Sequence, residues 1–502
     1  MISYTHLPES EYTAKDIEIY ANGKHRIYAC TTRVSAVPYN KIWPGSQRQD
    51  DQTEEAYFFS ITSDTAVDIS VKPNTAFTTA IIRPLSKNIQ PVIRNGVIHF
   101  TLPGEGQYVL EADDFHNAIH IFVNKPHTPP ADATYIFKNG VHHIGVMRLE
   151  SNDKVYIEDG AVIYGGFTAI GKENISICGN GIIDGSYESR RSDTRTNPNM
   201  HYAKNYRDMD VTRDMSILEN TLYDEKMLNG CLRFYNCKNI TVSGPVLRDT
   251  CTYGMIAAAC TNVTVDNIKL IGMWKYNCDG IDIFNSKNVT IKNCFVRTFD
   301  DSIVLKGIKG WDSRNMENIL VDNCVVWCDW GRNLEFGAET NADIYCNITI
   351  TNCDCIHGTH VMMDMQNTGR ALITGILFDN IRCEYNKNQL KASYQHDLNE
   401  KYQFGSTPNI QQPQLMFISN SYDGDPFGGD SEKGKVHDVT FSNIYVIADD
   451  GVQMPQSIFT GNDEQHKVDG IVIKNLYFNG KKIADINDAN IAVNQFSQIS
   501  LE

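Results

Sequence analysis

The sequence has 502 residues and contains no long apolar run. A membrane-spanning helix needs about 18 consecutive apolar residues, and no run approaches that length. Its first residues, MISYTHLPESEYTAKD, have neither the basic n-region nor the apolar h-region of a signal peptide. These absences argue against a membrane protein and predict a cytoplasmic one. A secreted or periplasmic location is expected instead if a leader has been removed.

Positive charge is also scarce. Lys and Arg total 45 against 61 Asp and Glu, which gives a formal net charge of -16. Recognition of phosphates by counterion release needs clustered Lys and Arg, so nucleic acid and anionic membranes are excluded as expected partners. The same balance disfavours a polyanionic substrate.

Cysteine is plentiful, but the spacing of the cysteines is not typical of disulfides or of zinc sites. Thirteen of the fourteen cysteines lie between Cys178 and Cys383, and no Cys-x-x-Cys pair recurs at zinc-ribbon spacing. Several occupy one slot of an internal repeat, namely Cys237, Cys294, Cys324 and Cys353. A cysteine that recurs in register predicts a small buried core residue, so we expect free thiols and a reducing compartment.

The internal repeat is an Asn, then alternating β-branched residues, then a second Asn or Asp. Clear copies begin at Asn239, Asn262, Asn288, Asn318 and Asn347, an early one at Asn174, and weaker ones at Ile376, Val439 and Ile471. The second Asn of successive copies recurs at intervals of 26, 30, 29 and 28 residues, at Asn267, Asn293, Asn323, Asn352 and Asn380. Period-2 alternation indicates strands, and one strand cluster per coil predicts a parallel β-helix with Asn ladders at its turns. Nine copies argue against the alternative, a sandwich with coincidental Asn-rich turns.

The repeat divides the chain into two predicted domains. Residues 1–130 lack it but contain strands separated by Gly, Pro and Asn turns, which predicts an N-terminal β-sandwich. Residues 131–502 are predicted to form the β-helix, interrupted by long polar insertions near 186–230 and 385–434. Long loops on such a solenoid usually wall a binding groove, although they can equally be disordered decoration.

Acidic residues are concentrated in one stretch of the repeat. Asp279 and Asp300 are 21 residues apart, about one coil, so Asp279 should lie above Asp300 or Asp301 at the strand spacing of about 4.8 Å. Three carboxylates on one face are unfavourable unless they bind a cation or perform acid/base work. For Asp282 alone a turn-forming role is preferred.

Aromatic residues surround this stretch. Four of the five tryptophans lie between 274 and 330, together with Tyr253 and Tyr276. Aromatic rings pack on the apolar C–H faces of sugars, so a carboxylate cluster rimmed by tryptophan predicts a carbohydrate site.

The segment Asn277-Cys-Asp-Gly-Ile-Asp followed by Asp300-Asp301 resembles the Asn-Thr-Asp and Asp-Asp motifs of the polygalacturonase-type glycoside hydrolases, family 28. The resemblance covers roughly residues 140–390 and implies a right-handed parallel β-helix enzyme that inverts anomeric configuration. An N-terminal β-sandwich before such a helix is similar to the dextranase and isopullulanase group, family 49.

Two departures from family 28 bear on the substrate. Where the family has Gly-His-Gly-Leu-x-Ile-Gly, this chain has Gly331-Arg-Asn-Leu-Glu-Phe-Gly, so Arg332 replaces the usual histidine. Where the family has Arg-Ile-Lys, whose cations hold galacturonate, this chain has Met362-Met363-Asp364. A carboxylate there would repel a uronate, so we expect a neutral, α-linked glucan or oligosaccharide.

The resemblance also implies roles for individual residues. Asp300 would be the general acid, and Asp279 with Asp301 would position and deprotonate the water. A second set is predicted to bind substrate: Trp274, Tyr276, Asp329, Trp330, Arg332, Glu335, His357, His360 and Asp364. Counting along the repeat predicts that Asp329, Arg332, His357 and His360 lie on the same face as the aspartates. No cofactor or metal is expected.

Three alternatives stay open beside the neutral-glycan hydrolase. A polygalacturonase-like enzyme would act on pectin. A polysaccharide lyase on the same solenoid would bind Ca²⁺ through clustered Asp and abstract a proton with Arg, but it needs a uronate. A non-catalytic glycan-binding β-helix would release no reducing ends.

Overall fold

The computed structural model describes most of the chain. The described residues are 3–4, 6–11, 13–35, 53–187, 230–275, 277–308, 314–387, 393–394, 403–404, 412–420 and 432–502. Both predicted insertions, 186–230 and 385–434, therefore lie largely outside the described residues. Within those ranges a single 3₁₀ turn, Leu85–Lys87, is the only helical element, and no helix is long and apolar enough to cross a membrane. The all-β prediction is confirmed.

Two sheets precede the repeat. The six-stranded sheet is formed by Ser3–Tyr4, Cys30–Ser35, Thr53–Thr62, Ala80–Arg83, Gly106–Ala112 and Asp114–Asn124. The five-stranded sheet is formed by Glu18–Ala21, His25–Ile27, Val67–Lys72, Val92–Arg94 and Val97–Leu102. Alternating side chains of both sheets meet in one buried core, with Ile69 and Phe100 from one sheet and Phe59 and Ile121 from the other. The two sheets thus form a sandwich.

A continuous sheet of 30 strands, from Tyr135 to Leu501, forms the rest of the described chain. Apart from the two-residue strand Lys481–Lys482, the strands pair in parallel with the equivalent strands of neighbouring coils, which defines a parallel β-helix and confirms the predicted fold. Two long strands, Gly140–Arg148 and Ala161–Ile170, open the coils, and the antiparallel pair Ser393–Tyr394 and Gln403–Phe404 stands apart from the sheet.

The coils have three faces. The first face contains Tyr135–Phe137, Lys154–Ile157, Glu173–Cys178, Lys238–Ser243, Thr261–Asp266, Lys287–Lys292, Met316–Asp322, Ile344–Thr351, Leu372–Tyr385, Lys435–Ala448, Val468–Phe478 and Ser497–Leu501, with Lys481–Lys482 pairing antiparallel at its end. The second face contains Ile182–Asp184, Val246–Arg248, Lys269–Met273, Phe295–Thr298, Val325–Cys328 and Asp354–His357. The third face contains Leu232–Tyr235, Met255–Ala258, Ile281–Phe284, Ile303–Gly307, Arg332–Thr340, Val361–Gln366, Gln414–Ser419, Ser457–Thr460 and Ile491–Val493.

Asparagine ladders run along the turns, as predicted. The Asn262 amide donates to Asn239 at 2.9 Å, and the Asn288 amide donates to Asn262 at 3.0 Å. The next amide, of Asn318, donates to Asn288 at 2.9 Å. These asparagines have φ between 55° and 60°, the left-handed region that Asn tolerates better than other side chains. Each coil therefore repeats both the turn and the hydrogen bond that joins it to its neighbour.

The cysteines that recur in register point into the helix. Cys237, Cys294, Cys324 and Cys353 are fully buried in its core, and all fourteen cysteines of the chain are free thiols. Burial raises the pKa of the Cys324 thiol well above its usual range. These cysteines act as small apolar core residues, which confirms the prediction of free thiols.

The six-stranded sheet of the sandwich packs against the second face of the helix. Phe58, Val109 and Phe122 of the sandwich contact Phe295 and Val325 of the helix in one buried cluster. The second face is therefore covered.

Buried ions reinforce this contact. The Arg83 guanidinium donates to Glu111 at 2.9 Å within the sandwich and also pairs with Glu384 of the helix. All three side chains are buried. Burial opposes ionisation of Glu111, but Arg83 and His357 outweigh it and hold the pKa of Glu111 at about 2.

Replacing Arg83 by methionine should lower the free energy of unfolding by about 3 kcal/mol, because it leaves two carboxylates buried without their cation. The measurement is urea denaturation followed by tryptophan fluorescence. The matched control is Lys72→Met, which breaks the exposed pair with Glu18 and should cost less than about 1 kcal/mol. Equal losses in the two variants would show that the buried network does not stabilise the contact.

Candidate active site

The predicted aspartates meet at the turn that leads into the third face. The Gly280 amide donates to the Asp301 carbonyl at 2.8 Å, and Ile281 pairs with Ile303, which stacks Asp279 on Asp301. The Asp300 amide faces the Cys278 carbonyl at 3.4 Å one coil away. The spacing of 21 residues therefore places these carboxylates on adjacent coils, as predicted.

Lys306 lies among these carboxylates. Its ammonium donates to Asp279 Oδ2 at 2.8 Å and lies 3.8 Å from both Asp301 Oδ2 and Asp282 Oδ1. It also lies 5.1 Å from the ring centroid of the buried Tyr253. One buried cation thus partly balances three aspartates.

A column of acidic residues extends from the aspartates along the outer side of the third face. Ladder pairing aligns Asp282 with Val304, Val304 with Glu335, and Glu335 with Asp364. The intervening side chains of these strands belong to the hydrophobic core, so the column faces away from it. All three acids are buried, and at least one carboxylate oxygen of each receives no hydrogen bond from the described residues.

The acids differ in their tendency to hold a proton. Burial raises the pKa of Asp282 to about 8 and that of Asp364 to about 7. Burial and the neighbouring aspartates also raise the pKa of Asp279, although Lys306 opposes this. Burial likewise opposes ionisation of Asp301, but Arg332 and Lys306 outweigh it and lower its pKa. The cluster therefore offers protonated and ionised carboxyl groups side by side.

Hydrogen bonds to its backbone carbonyl hold Asp300 in place. Its carbonyl accepts hydrogen bonds from the Thr298 hydroxyl at 2.6 Å and from the Cys328 thiol at 3.2 Å. Its side chain is buried, and its negative charge contributes to the raised pKa of Asp279. Asp300 and Asp279 therefore interact electrostatically across adjacent coils.

Arg332 contacts two of the acids. Its backbone amide donates to Asp301 Oδ1 at 3.1 Å, and its guanidinium lies 3.6 Å from the same oxygen. The guanidinium also lies 3.4 Å from Asp364 Oδ2. The preceding Gly331 allows this approach, because a Cβ there would lie 2.6 Å from Asp301 Oδ1. The structure thus brings together six predicted site residues, namely Asp279, Asp300, Asp301, Arg332, Glu335 and Asp364.

His357 does not lie beside the acids, where the sequence predicts it. It is fully buried, its Nε2 faces Glu111 of the sandwich, and its ring lies 4.2 Å from that of Trp327. The cause is an extra residue in its strand: Val326 pairs with Cys355, but Trp327 pairs with His357. This bulge turns His357 towards the sandwich rather than the acids.

Asp329 also differs from the prediction. Its amide donates to Thr298 at 2.8 Å, so it aligns with Phe299 rather than with Asp300. Its carboxylate lies 3.5 Å from the buried Arg297. Burial raises its pKa to about 6. Asp329 therefore belongs to the contact with the sandwich.

The aromatic rim is only partly present. Trp274 is buried and its indole donates to Asp249 at 3.0 Å, so the structure does not present this ring to a ligand. Trp330 stacks on Phe299, beside Asp300, with ring centroids 5.4 Å apart, and His360 contacts Trp330 at 5.2 Å. Tyr276 and Trp311 lie outside the described residues.

The sequence did not identify Lys306 as a site residue, and for Asp282 it indicated only a turn-forming role. Lys306 stands in the apolar strand Ile303–Gly307, where the other side chains are apolar or absent. A lone lysine in such a strand is a usable signal, because a buried ammonium requires a carboxylate partner. Asp282 alternates with core residues in Ile281–Phe284, which places it on the outer side beside Lys306.

Comparison with known proteins agrees with this architecture. The model of Glycosyl hydrolases family 28 matches residues 165–390, which include every acid of the site. The predicted resemblance to family 28 is therefore confirmed for this segment.

Curated relatives are similar over part of their length. Rhamnogalacturonase B of Aspergillus niger is 25% identical over 152 residues, which cover 30% of this chain and 25% of that protein. A probable polygalacturonase of Arabidopsis thaliana is 26% identical over 160 residues, which cover 30% of this chain and 33% of that protein. The chain thus matches a quarter to a third of the length of these relatives.

Among solved structures, Dex49A from Penicillium minioluteum matches with a TM-score of 0.65 at 14% sequence identity. The match covers 99% of this chain and 95% of that one. The fold of nearly the whole chain, sandwich included, is therefore shared with Dex49A.

Proposed function

We propose that this protein is an inverting glycoside hydrolase that cleaves a neutral, α-linked glucan or oligosaccharide. The observation that carries the proposal is the cluster of Asp279, Asp300 and Asp301, in which the Lys306 ammonium contacts Asp279 and lies 3.8 Å from Asp301. It holds both a carboxyl with a raised pKa and a carboxylate with a lowered one. Inverting hydrolysis requires such a pair, an acid for the leaving oxygen and a base for water.

The roles follow from the family 28 resemblance. Asp300 donates a proton to the glycosidic oxygen, and Asp301 with Asp279 acts on the water. The lowered pKa of Asp301 agrees with its role as a base.

The charge of the groove supports a neutral sugar. Asp282, Glu335 and Asp364 line the outer side of the third face, and the guanidinium of Arg332 is already paired with Asp301 and Asp364. A uronate carboxylate placed there would meet the carboxyl groups of Asp282, Glu335 and Asp364.

A pectin-directed activity is the second candidate, because the curated relatives are named rhamnogalacturonase and polygalacturonase. The deciding experiment measures reducing sugar released from dextran, pullulan, other α-glucans and polygalacturonate at equal mass concentration. We expect release from an α-glucan at a rate at least tenfold above that from polygalacturonate. Release from polygalacturonate alone would show that the acidic column does not select against uronates.

A further inference from the structure

The turn that precedes Asp279 is anchored to Asp249. Asp249 follows the second-face strand Val246–Arg248, and its Oδ1 accepts hydrogen bonds from the Trp274 indole at 3.0 Å and the Lys275 ammonium at 2.8 Å. Both donor side chains are buried. One carboxylate oxygen therefore holds the two residues that lie five and four positions before Asp279.

Further hydrogen bonds connect this anchor with Asp279. The Lys275 carbonyl accepts from the Cys278 amide at 3.1 Å, and the Cys278 thiol donates to the Thr250 carbonyl at 3.3 Å. The Lys275 ammonium reaches the same Thr250 carbonyl at 3.4 Å. Asp279 is the next residue after Cys278, and its own carbonyl accepts from the Gly254 amide at 2.8 Å. The backbone that leads into Asp279 is therefore fixed to the preceding coil.

The sandwich also contacts this turn. One of its strands passes Gly272, where a Cβ would lie 2.5 Å from the Thr32 hydroxyl oxygen, so only glycine allows this close approach. The Ser35 hydroxyl donates to the Trp274 carbonyl at 3.4 Å. The Arg33 guanidinium lies 5.5 Å from the centroid of the Trp274 ring, within the range of a cation–π contact. Trp274 is thus held by the sandwich as well as by the helix.

The effect of this anchor is chiefly geometric. An ion pair with a buried ammonium, such as that of Lys275 with Asp249, adds little net stability, because desolvation offsets the attraction of the charges. It does restrict the turn to one arrangement. That arrangement matters at Asp279, whose carboxylate contacts the Lys306 ammonium at 2.8 Å. A displacement of about 1 Å at a reacting group can lower a rate about 100-fold.

We propose that Asp249 is a positioning residue for Asp279, and that Arg33 and Ser35 give the sandwich a part in holding the same turn. The proposal rests on the proposed function for the role of Asp279. It also gives Trp274 a role within the chain, because its indole N–H donates to Asp249 and its ring contacts Arg33.

The functional test compares Asp249→Gly with Asp249→Asn in the full chain, below the unfolding temperature of both variants. Asp249 has a φ of 45°, which glycine and asparagine adopt readily. Glycine removes the acceptor of Trp274 and Lys275, whereas asparagine keeps an oxygen there. We expect kcat to fall about 100-fold in Asp249→Gly with KM within about threefold of wild type, and Asp249→Asn to recover at least about tenfold. Equal kcat in the two variants, or a rise in KM alone, would overturn the proposal.

The part of the sandwich is tested by Arg33→Met, with Arg26→Met as the matched control. Arg33 is exposed, so its replacement should leave the fold intact. Arg26 makes the same kind of contact within the sandwich, 5.4 Å from the ring centroids of Tyr20 and Tyr28. We expect kcat to fall about threefold in Arg33→Met and to stay unchanged in Arg26→Met. Equal kcat values in these two variants would refute the part assigned to the sandwich.

Amide hydrogen exchange measures the turn without a substrate. The Cys278 amide donates to the Lys275 carbonyl at 3.1 Å, and the Gly280 amide donates to the Asp301 carbonyl at 2.8 Å. We expect both amides to exchange at least about tenfold faster in Asp249→Gly than in wild type or Arg26→Met. Unchanged exchange in Asp249→Gly would overturn the proposal. If the wild type hydrolyses no glycan, the proposed function fails, but the exchange rates still decide whether Asp249 holds this turn.

Discussion

Replacing Asp300 by asparagine should lower kcat for glycan hydrolysis by about 10³-fold, because the amide cannot protonate the leaving oxygen. The fold should persist. The hydrogen bonds at Asp300 that hold the turn are made by its carbonyl, with Thr298 and Cys328, and asparagine keeps them. The measurement is reducing-sugar release under saturating substrate, together with thermal unfolding. Asp279→Asn and Asp301→Asn should have losses of similar order.

The matched control is Asp329→Asn. This aspartate is also buried on the same helix, but it pairs with Arg297 at the contact with the sandwich. Its replacement should change kcat less than about tenfold, even if it lowers the melting temperature. Near-normal turnover in any two of the three cluster variants would contradict the catalytic assignment. If kcat fell as far in Asp329→Asn as in Asp300→Asn, the loss of activity would not be specific to the three-aspartate cluster.

Most of the fold was predictable because each coil repeats the same physical requirement. An asparagine at positive φ recurs on successive coils, and its amide meets the next one, as Asn262 meets Asn239. The spacing of these residues therefore fixes the register, and the register places Asp279 on Asp301. The free cysteines were predictable for the same reason, because the position that Cys294 occupies in its coil faces the core.

The residues that lie away from the acids do so for reasons that the local pattern does not carry. Counting along the repeat places His357 and Asp329 beside the aspartates only if every coil is regular. A single bulge at Ile356 redirects His357, and the sandwich covers the second face, where Trp327 is fully buried. A contact between residues more than 200 positions apart, such as Glu111 with His357, leaves no local signal in the sequence.

The covered face also explains where the site lies. The sandwich buries the second face, and the acids lie on the outer side of the third face. Asp282, Val304, Glu335 and Asp364 align on four successive coils there, with apolar residues behind them. The acidic column and the three aspartates are thus parts of one surface, and Lys306 is the cation that joins them.

Replacing Lys306 by methionine should lower kcat/KM at neutral pH by about 10²-fold or more. Lys306 contacts Asp279 at 2.8 Å and lies 3.8 Å from Asp301, and its charge lowers the pKa of both carboxyls. Without the ammonium both pKa values rise, so the base becomes protonated near neutrality and each unit of increase costs about tenfold in its ionised fraction. The acidic limb of the pH profile should therefore move to higher pH, and activity should partly return in alkaline buffer.

Lys269→Met is the matched control for this change. Lys269 is an equally buried lysine of the same helix, but its ammonium donates to the Gly244 carbonyl at 2.9 Å, and burial lowers its pKa to about 7. Its removal should leave the position of the acidic limb unchanged. An acidic limb that stays in place in Lys306→Met would mean that Asp301 does not depend on this cation. The Arg332 contacts alone would then keep the base ionised, and the effect of Lys306 would be confined to holding Asp279 in position.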